Sequence, residues 1–179
     1  MIRLFVITFV RHTIIATAVF ILIMAGIPCP AEAVFNKHTD KDFEFSLFIP
    51  SQWQRKEDDL YYKKIITLQS TDGAEIRITA MRYSEKEKSK WNSWKEWYLK
   101  NIGNSMMEII ETDTVKIKKE IEGKLIVFEY MSKQGKMMQR VLIARIKENI
   151  IVIECKAEFQ QFYKFAPTFD RTMSSLEPH

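Results

Sequence analysis

Histidine and cysteine are nearly absent, at three and two of 179 residues. His12 falls in an apolar N-terminal stretch, His38 comes early in the remainder and His179 is the last residue. None has an acid–base partner close by in sequence, so a Ser-His-Asp or Cys-His site has no base. A zinc site would need clustered His and Cys ligands, and there are too few. Glycine is scarce as well, at five residues with no two adjacent, which excludes a glycine-rich phosphate loop. No cofactor is implied.

A long membrane-spanning run is also missing. Thr13 to Ile27 (TIIATAVFILIMAGI) is uncharged and apolar, but a span takes about 20 residues. Extending it back to Leu4 would place Arg11 in hydrocarbon, at roughly 2.5–3.5 kcal/mol on insertion scales. Arg3, Arg11 and His12 make a basic start, Pro28 and Pro30 break the run, and Ala31-Glu32-Ala33 supplies a small-x-small cleavage pattern. Residues 1–33 therefore read as a signal peptide cleaved after Ala33, with an uncleaved anchor as the alternative. Acylation of Cys29 is disfavoured, because a lipobox wants a small residue directly before the cysteine and Pro28 stands there. The chain is expected to be exported, periplasmic or extracellular, with membrane contact only through an uncleaved leader. With Cys29 gone, Cys155 has no partner for an internal disulfide even in an oxidising compartment.

An excess of one charge is lacking too. Arg3, Arg11 and Glu32 leave with the leader, so 27 basic and 23 acidic residues become 25 and 22. That mixture does not suit a polyanion. Lys116 and Lys118 alternate with Val115 and Ile117 as the wet face of a strand does, and no nucleic-acid partner is expected. About 146 residues remain, enough for one domain with a core. Within it, residues 34–42 read as a loose segment.

What is present is periodicity. Phe43, Phe45 and Leu47 alternate with Glu44, Ser46 and Phe48 as a strand ended by Pro50. Tyr61 to Gln69 is a second strand, Thr71-Asp72-Gly73 a turn, and Ala74 to Tyr83 a third strand with Ile76, Ile78 and Ala80 on one face. Residues 84–111 repeat every 3.6, with Trp91, Trp94, Tyr98, Ile102, Met106 and Ile109 in one helical stripe. Four strands follow: Thr114–Ile121, Leu125–Met131, Met137–Ile146 and Ile150–Ala157. Their turns fall at Glu122-Gly123, Lys133-Gln134-Gly135 and Lys147-Glu148-Asn149. Links this short join antiparallel neighbours. Phe162, Phe165, Phe169, Met173 and Leu176 are spaced helically, with Pro167 opening a fresh helix. Strands apolar on both faces require cover on both sides. The fold class is α+β: an antiparallel sheet of about six or seven strands between helices.

Candidate chemistry is thin. Cys155 shares the apolar face of IVIECKA and reads as inert core. Asp58-Asp59 reads as a turn before a strand. Asp40 and Asp42 do not match a calcium loop, which needs alternating ligands and a central glycine. Trp97 lies off the buried stripe of the first helix, by roughly 120°. Met107 is off it as well. These two are the candidate partner-binding residues, and no catalytic or metal-binding residue is assigned.

The phrase FEFSLFIPSQW gives F-x-F-x-x-x-x-P-x-x-W, carried by Phe43, Phe45, Pro50 and Trp53. In an exported domain it resembles the PsbP-like proteins, whose fold is shared with DcrB-type envelope proteins and Mog-type Ran-binding proteins. The likeness continues through TLQSTDGAEIRITAM, KWNSWKEW, IIVIECKAEF and FAPTFDRTMSSL, and spans nearly all of Phe43 to Leu176. It implies an α/β/α sandwich acting as an accessory or binding protein without catalysis. Photosystem subunits of this type help retain manganese, calcium and chloride, but no matching ligand motif is present, and neither that role nor Ran binding carries over. The expectation is a non-catalytic protein bound to an envelope protein or assembly. A periplasmic small-ligand carrier is the alternative, and a carboxylate-using hydrolase the third.

Overall fold

The computed structural model describes residues 33–82, 96, 98, 100, 107–118 and 121–179. Ten strands and one full helix are described: β1 (Phe35–Asp40), β2 (Phe45–Pro50), β3 (Gln54–Leu60), β4 (Lys63–Gln69), β5 (Glu75–Arg82), β6 (Met107–Ile117), β7 (Ile121–Ser132), β8 (Gly135–Ile146), β9 (Asn149–Glu158), α1 (Phe159–Ser174) and β10 (Glu177–Pro178). Seven strands make an antiparallel sheet in the order β3-β4-β5-β9-β8-β7-β6, and three make a second sheet in the order β1-β2-β10. Residues from Ala33 to His179 form one compact unit.

The period-2 pattern determines the first face of the large sheet. Ile76, Ile78 and Ala80 of β5 stand beside Ile151, Ile153, Cys155 and Ala157 of β9, all with at most 1 % of their surface exposed. Phe43 from the turn before β2, Phe45, Leu47 and Ile49 from the small sheet, and Phe162, Phe165, Phe169 and Met173 from α1 complete this core. Trp53, just beyond Pro50, stands edge-on to Phe165 and Phe169, so the chain leaves β2 pinned against the helix. Asn149 in the β9 start donates its side-chain amide to the Phe43 carbonyl at 3.0 Å, satisfying a buried turn.

The opposite face has its own apolar cluster: Ile126, Phe128, Val141, Ile143 and Val152, with Tyr98 packed on it. Glu96, Tyr98 and Lys100 are helical and Tyr98 is buried, as its place in the stripe requires. Trp91, Trp94, Ile102 and Met106 of that stripe, and Trp97, lie outside the described residues.

Several expectations give way. Residues 34–42 are not loose, because β1 pairs with β2 from Phe35↔Pro50 to Asp40↔Phe45. β3 carries no hydrophobic period, since all seven of its residues are exposed. Asp58 and Asp59 therefore belong to an edge strand, and the turn is Tyr61-Tyr62. The charges of β3 suit an edge, where unpaired backbone invites other chains. The helical pattern does not reach Ile109, which lies in β6 opposite Phe128. Pro167 does not start a helix; α1 runs through it. The proline is on the exposed side, so the missing hydrogen bond falls where water can reach, while the phenylalanine stripe holds the buried side.

Glu122-Gly123 is not a turn either, because both residues lie within β7. A Cβ on Gly123 would come within 2.7 Å of Leu142 Cδ1 and 2.8 Å of Ile117 Cδ1. The glycine is there for close packing rather than for a turn. Gly123→Ala is expected to destabilise the fold by about 1–3 kcal/mol in urea denaturation. An unchanged midpoint would show that the side chains beside it are not tightly packed.

Candidate functional site

The second face of the large sheet turns polar around β5 and β9. Glu75, Arg77, Thr79 and Met81 project from β5, and Val152, Glu154 and Lys156 from β9. Together with Lys63 of β4, Gln139 of β8 and Tyr98 they line a cavity of about 380 Å³. The β5–β9 register sets the charges against one another, Glu75 opposite Lys156 and Arg77 opposite Glu154. Glu75 Oε1 is 3.3 Å from Arg77 Nη2 and 3.1 Å from Lys156 Nζ. Tyr98 donates its hydroxyl to Glu154 Oε1 at 2.6 Å, and the Gln139 amide donates to the same oxygen at 3.3 Å and to the Tyr98 oxygen at 3.4 Å. Burial, then the Glu154 charge, push the Tyr98 phenol far above its ordinary value. It therefore remains a hydrogen-bond donor and is no base. Burial, then Glu75 and Glu154, push Tyr130 upward as well.

Glu154 and Lys156 alternate with the buried Ile153, Cys155 and Ala157 along β9, but that alternation does not show that their face lines a cavity. The available signal was charge on strands whose other face is wholly apolar. Of the nominated partner residues, Trp97 lies outside the described residues. Met107 is half-buried on β6, paired with Tyr130 and packed against the second-face cluster. Cys155 is fully buried and burial raises its thiol, so it has no access to a thiolate role. Asp40 is committed to structure: its Oδ1 accepts the amides of Asp42 and Phe43, and its Oδ2 lies 3.0 Å from Lys64 Nζ.

A second cavity, of about 310 Å³, lies between β1 and β3, with His38, Trp53 and Arg55 in its wall. Arg55 Nη2 is 3.0 Å from His38 Nδ1. A guanidinium only donates, so Nδ1 accepts and the ring is neutral with its proton on Nε2. That Nε2 is buried with no partner among the described residues. Burial and then Arg55 lower the His38 pKa, against opposing contributions from Asp40 and Glu57.

No family model matches the chain, and no curated protein matches it in sequence. Solved structures do match it in shape. Cyanobacterial PsbP from Synechocystis superposes with a TM-score of 0.61 at 9% identity, over 86% of this chain and 96% of that one. The chain has the PsbP-like fold. The PsbP-like architecture extends to LpqN of Mycobacterium tuberculosis, a protein involved in cell envelope biogenesis, with a TM-score of 0.54 at 8% identity over 81% and 90%. It extends also to PA94 of Pseudomonas aeruginosa, at 0.52 and 14% over 81% and 97%. At these identities the likeness is one of fold.

His38 generates a pH prediction with a definite sign. Its folded pKa lies below the unfolded value of 6.5, so the unfolded chain binds the extra proton first. Its contribution is present above that value and is lost as pH falls below it toward the folded pKa. Denaturation from pH 7.5 to 5 is expected to show a loss of stability that His38→Phe reduces. An identical pH profile in the variant would contradict the neutral, Arg55-bound ring.

Proposed function

We propose that this chain is an exported, non-catalytic accessory or binding protein of the cell envelope. One observation carries the reading. The two carboxylates of the large cavity are already engaged, Glu75 by Arg77 and Lys156 and Glu154 by Tyr98 and Gln139. Acid–base catalysis wants such groups poised for a substrate's proton, whereas here they organise a surface. The same fold in LpqN, a protein of envelope biogenesis, supports the location. So does the leader, with cleavage after Ala33 leaving β1 to begin almost at the new terminus. The helical residues Glu96, Tyr98 and Lys100 are inferred to belong to cover over the second face, anchored by the Tyr98–Glu154 bond.

The partner surface is assigned to Trp97 and to the start of β6. β6 closes one end of the large sheet. Beside the half-buried Met107 it leaves Ile109 and Ile110 38 % and 51 % exposed, whereas the opposite edge, β3, is charged. Exposed isoleucines on an edge strand suit another protein. A second reading, carriage of a small ligand, is favoured by the 380 Å³ cavity, whose size is within the range of ligand sites.

Tagged protein captured from envelope extracts of its own host tests the first reading. A specific envelope protein is expected to co-purify, with recovery reduced at least about tenfold by Trp97→Ala or Met107→Ser. Absence of a specific partner contradicts the reading, and undiminished capture by both variants contradicts the assigned surface.

A further inference from the structure

We propose that the cavity over β4, β5 and β9 takes a small organic anion that carries a hydrogen-bond donor a few atoms from its charge. The inference rests on the small-ligand reading and adds the ligand's chemistry.

Charge and register support it. Lys63, Arg77 and Lys156 face Glu75 and Glu154, three cations against two carboxylates. Lys156 and one edge of Arg77 are committed to Glu75, whereas Lys63 makes no ion pair among the described residues. A guanidinium has five donors, so the Glu75 contact leaves Arg77 with others. The register gathers these groups. Lys63 pairs with Met81 and Ile65 with Thr79, so Lys63 is diagonal to Thr79 across the β4–β5 ladder. Diagonal neighbours stand roughly 7–8 Å apart, within reach of a lysine side chain. Arg77 precedes Thr79 by two residues on the same face. The Thr79 hydroxyl is therefore bracketed by two cations, an arrangement suited to a carboxylate or a phosphate.

Glu154, across the ladder from Arg77, adds an acceptor. Glu154 lies two residues from Val152, which is paired with Thr79, and its Oε1 already accepts from Tyr98 and Gln139. A carboxylate has about four acceptor positions, so capacity remains for a donor on the ligand. Met81 and Val152 supply apolar wall. The cavity thus offers cations at Lys63 and Arg77 and an accepting oxygen at Glu154, one strand pair along from Thr79.

NMR-detected titration of the full chain with four matched compounds tests this: 4-hydroxybutyrate, butyrate, butane-1,4-diol and putrescine. Saturable shifts at the Thr79 and Glu154 amides are expected for 4-hydroxybutyrate, weaker ones for butyrate, and none for the diol or the diamine. Lys63→Gln and Thr79→Val should each weaken 4-hydroxybutyrate binding, by about tenfold for the charged contact. The hydroxyl-to-methyl change keeps the shape of a buried residue, and unchanged melting of each variant confirms folding. Equal binding of the diol or diamine, unaltered affinity in both variants, or no binding by any of the four overturns the inference. Native mass spectrometry of protein purified from its own host separates the two levels. A co-purifying anionic ligand supports both. A neutral or cationic ligand keeps the carrier reading and overturns this one, and an empty protein together with no titration response overturns both.

Discussion

The pairing of β5 with β9 holds the large sheet together. In the strand order, β3-β4-β5 forms one half and β9-β8-β7-β6 the other, and among the described residues β5–β9 is the only ladder between them. It joins Glu75 to Lys156 and Arg82 to Asn149 across more than sixty intervening residues. A contact of that sequence separation requires a large loop-closure entropy, which local turns do not. What offsets it is burial on one side and charge pairing on the other. Ile76, Ile78 and Ala80 meet Cys155, Ile153 and Ile151 with almost no exposed surface. On the reverse side, Glu75 and Lys156 form an ion pair across the same seam.

The core and the candidate site are therefore two faces of one ladder. A one-residue slip would exchange them, because strand side chains alternate with a period of two. A slip of β5 would send Arg77 into the phenylalanine core and bring Ile76 and Ile78 out. The small sheet and α1 reinforce the correct register, since Phe45, Leu47, Phe162 and Phe169 fit only against the apolar side. Tyr98 does so from the other side, with its phenol held by Glu154 and Gln139. The C-terminus is tied in by Glu177, which accepts from Lys118, Lys37 and Ser46 and is lowered to about 2 by them.

Much of the fold could be read from residue order. The alternation in Ile76–Ala80 and Ile151–Ala157, the turn at Gly73 and the phenylalanine stripe of α1 all carried their structure locally. The F-x-F-x-x-x-x-P-x-x-W phrase supplied the fold resemblance. What escaped was whatever tertiary pairing decides. β3 has six polar residues before Leu60, so no pattern marks it as a strand, and β1 becomes one by pairing with β2. Gly123 looks like punctuation until Leu142 and Ile117 are seen pressing on it. Met107 to Glu111 continue a helical period, yet pairing with β7 makes them a strand. The polar cavity was hidden because Lys63, Arg77, Gln139 and Glu154 come from four strands that only the β5–β9 ladder brings together.

Native-state hydrogen exchange tests the primacy of that ladder most directly. If β5–β9 is the seam on which both halves depend, the amides of Ile76, Ile78, Ile153 and Cys155 should exchange slowest and with one common opening free energy. The contradicting result is a β3–β5 unit that opens at markedly lower free energy while β6–β9 stays protected. That would mean each half is held by its own turns, with the ladder and the cavity across it secondary.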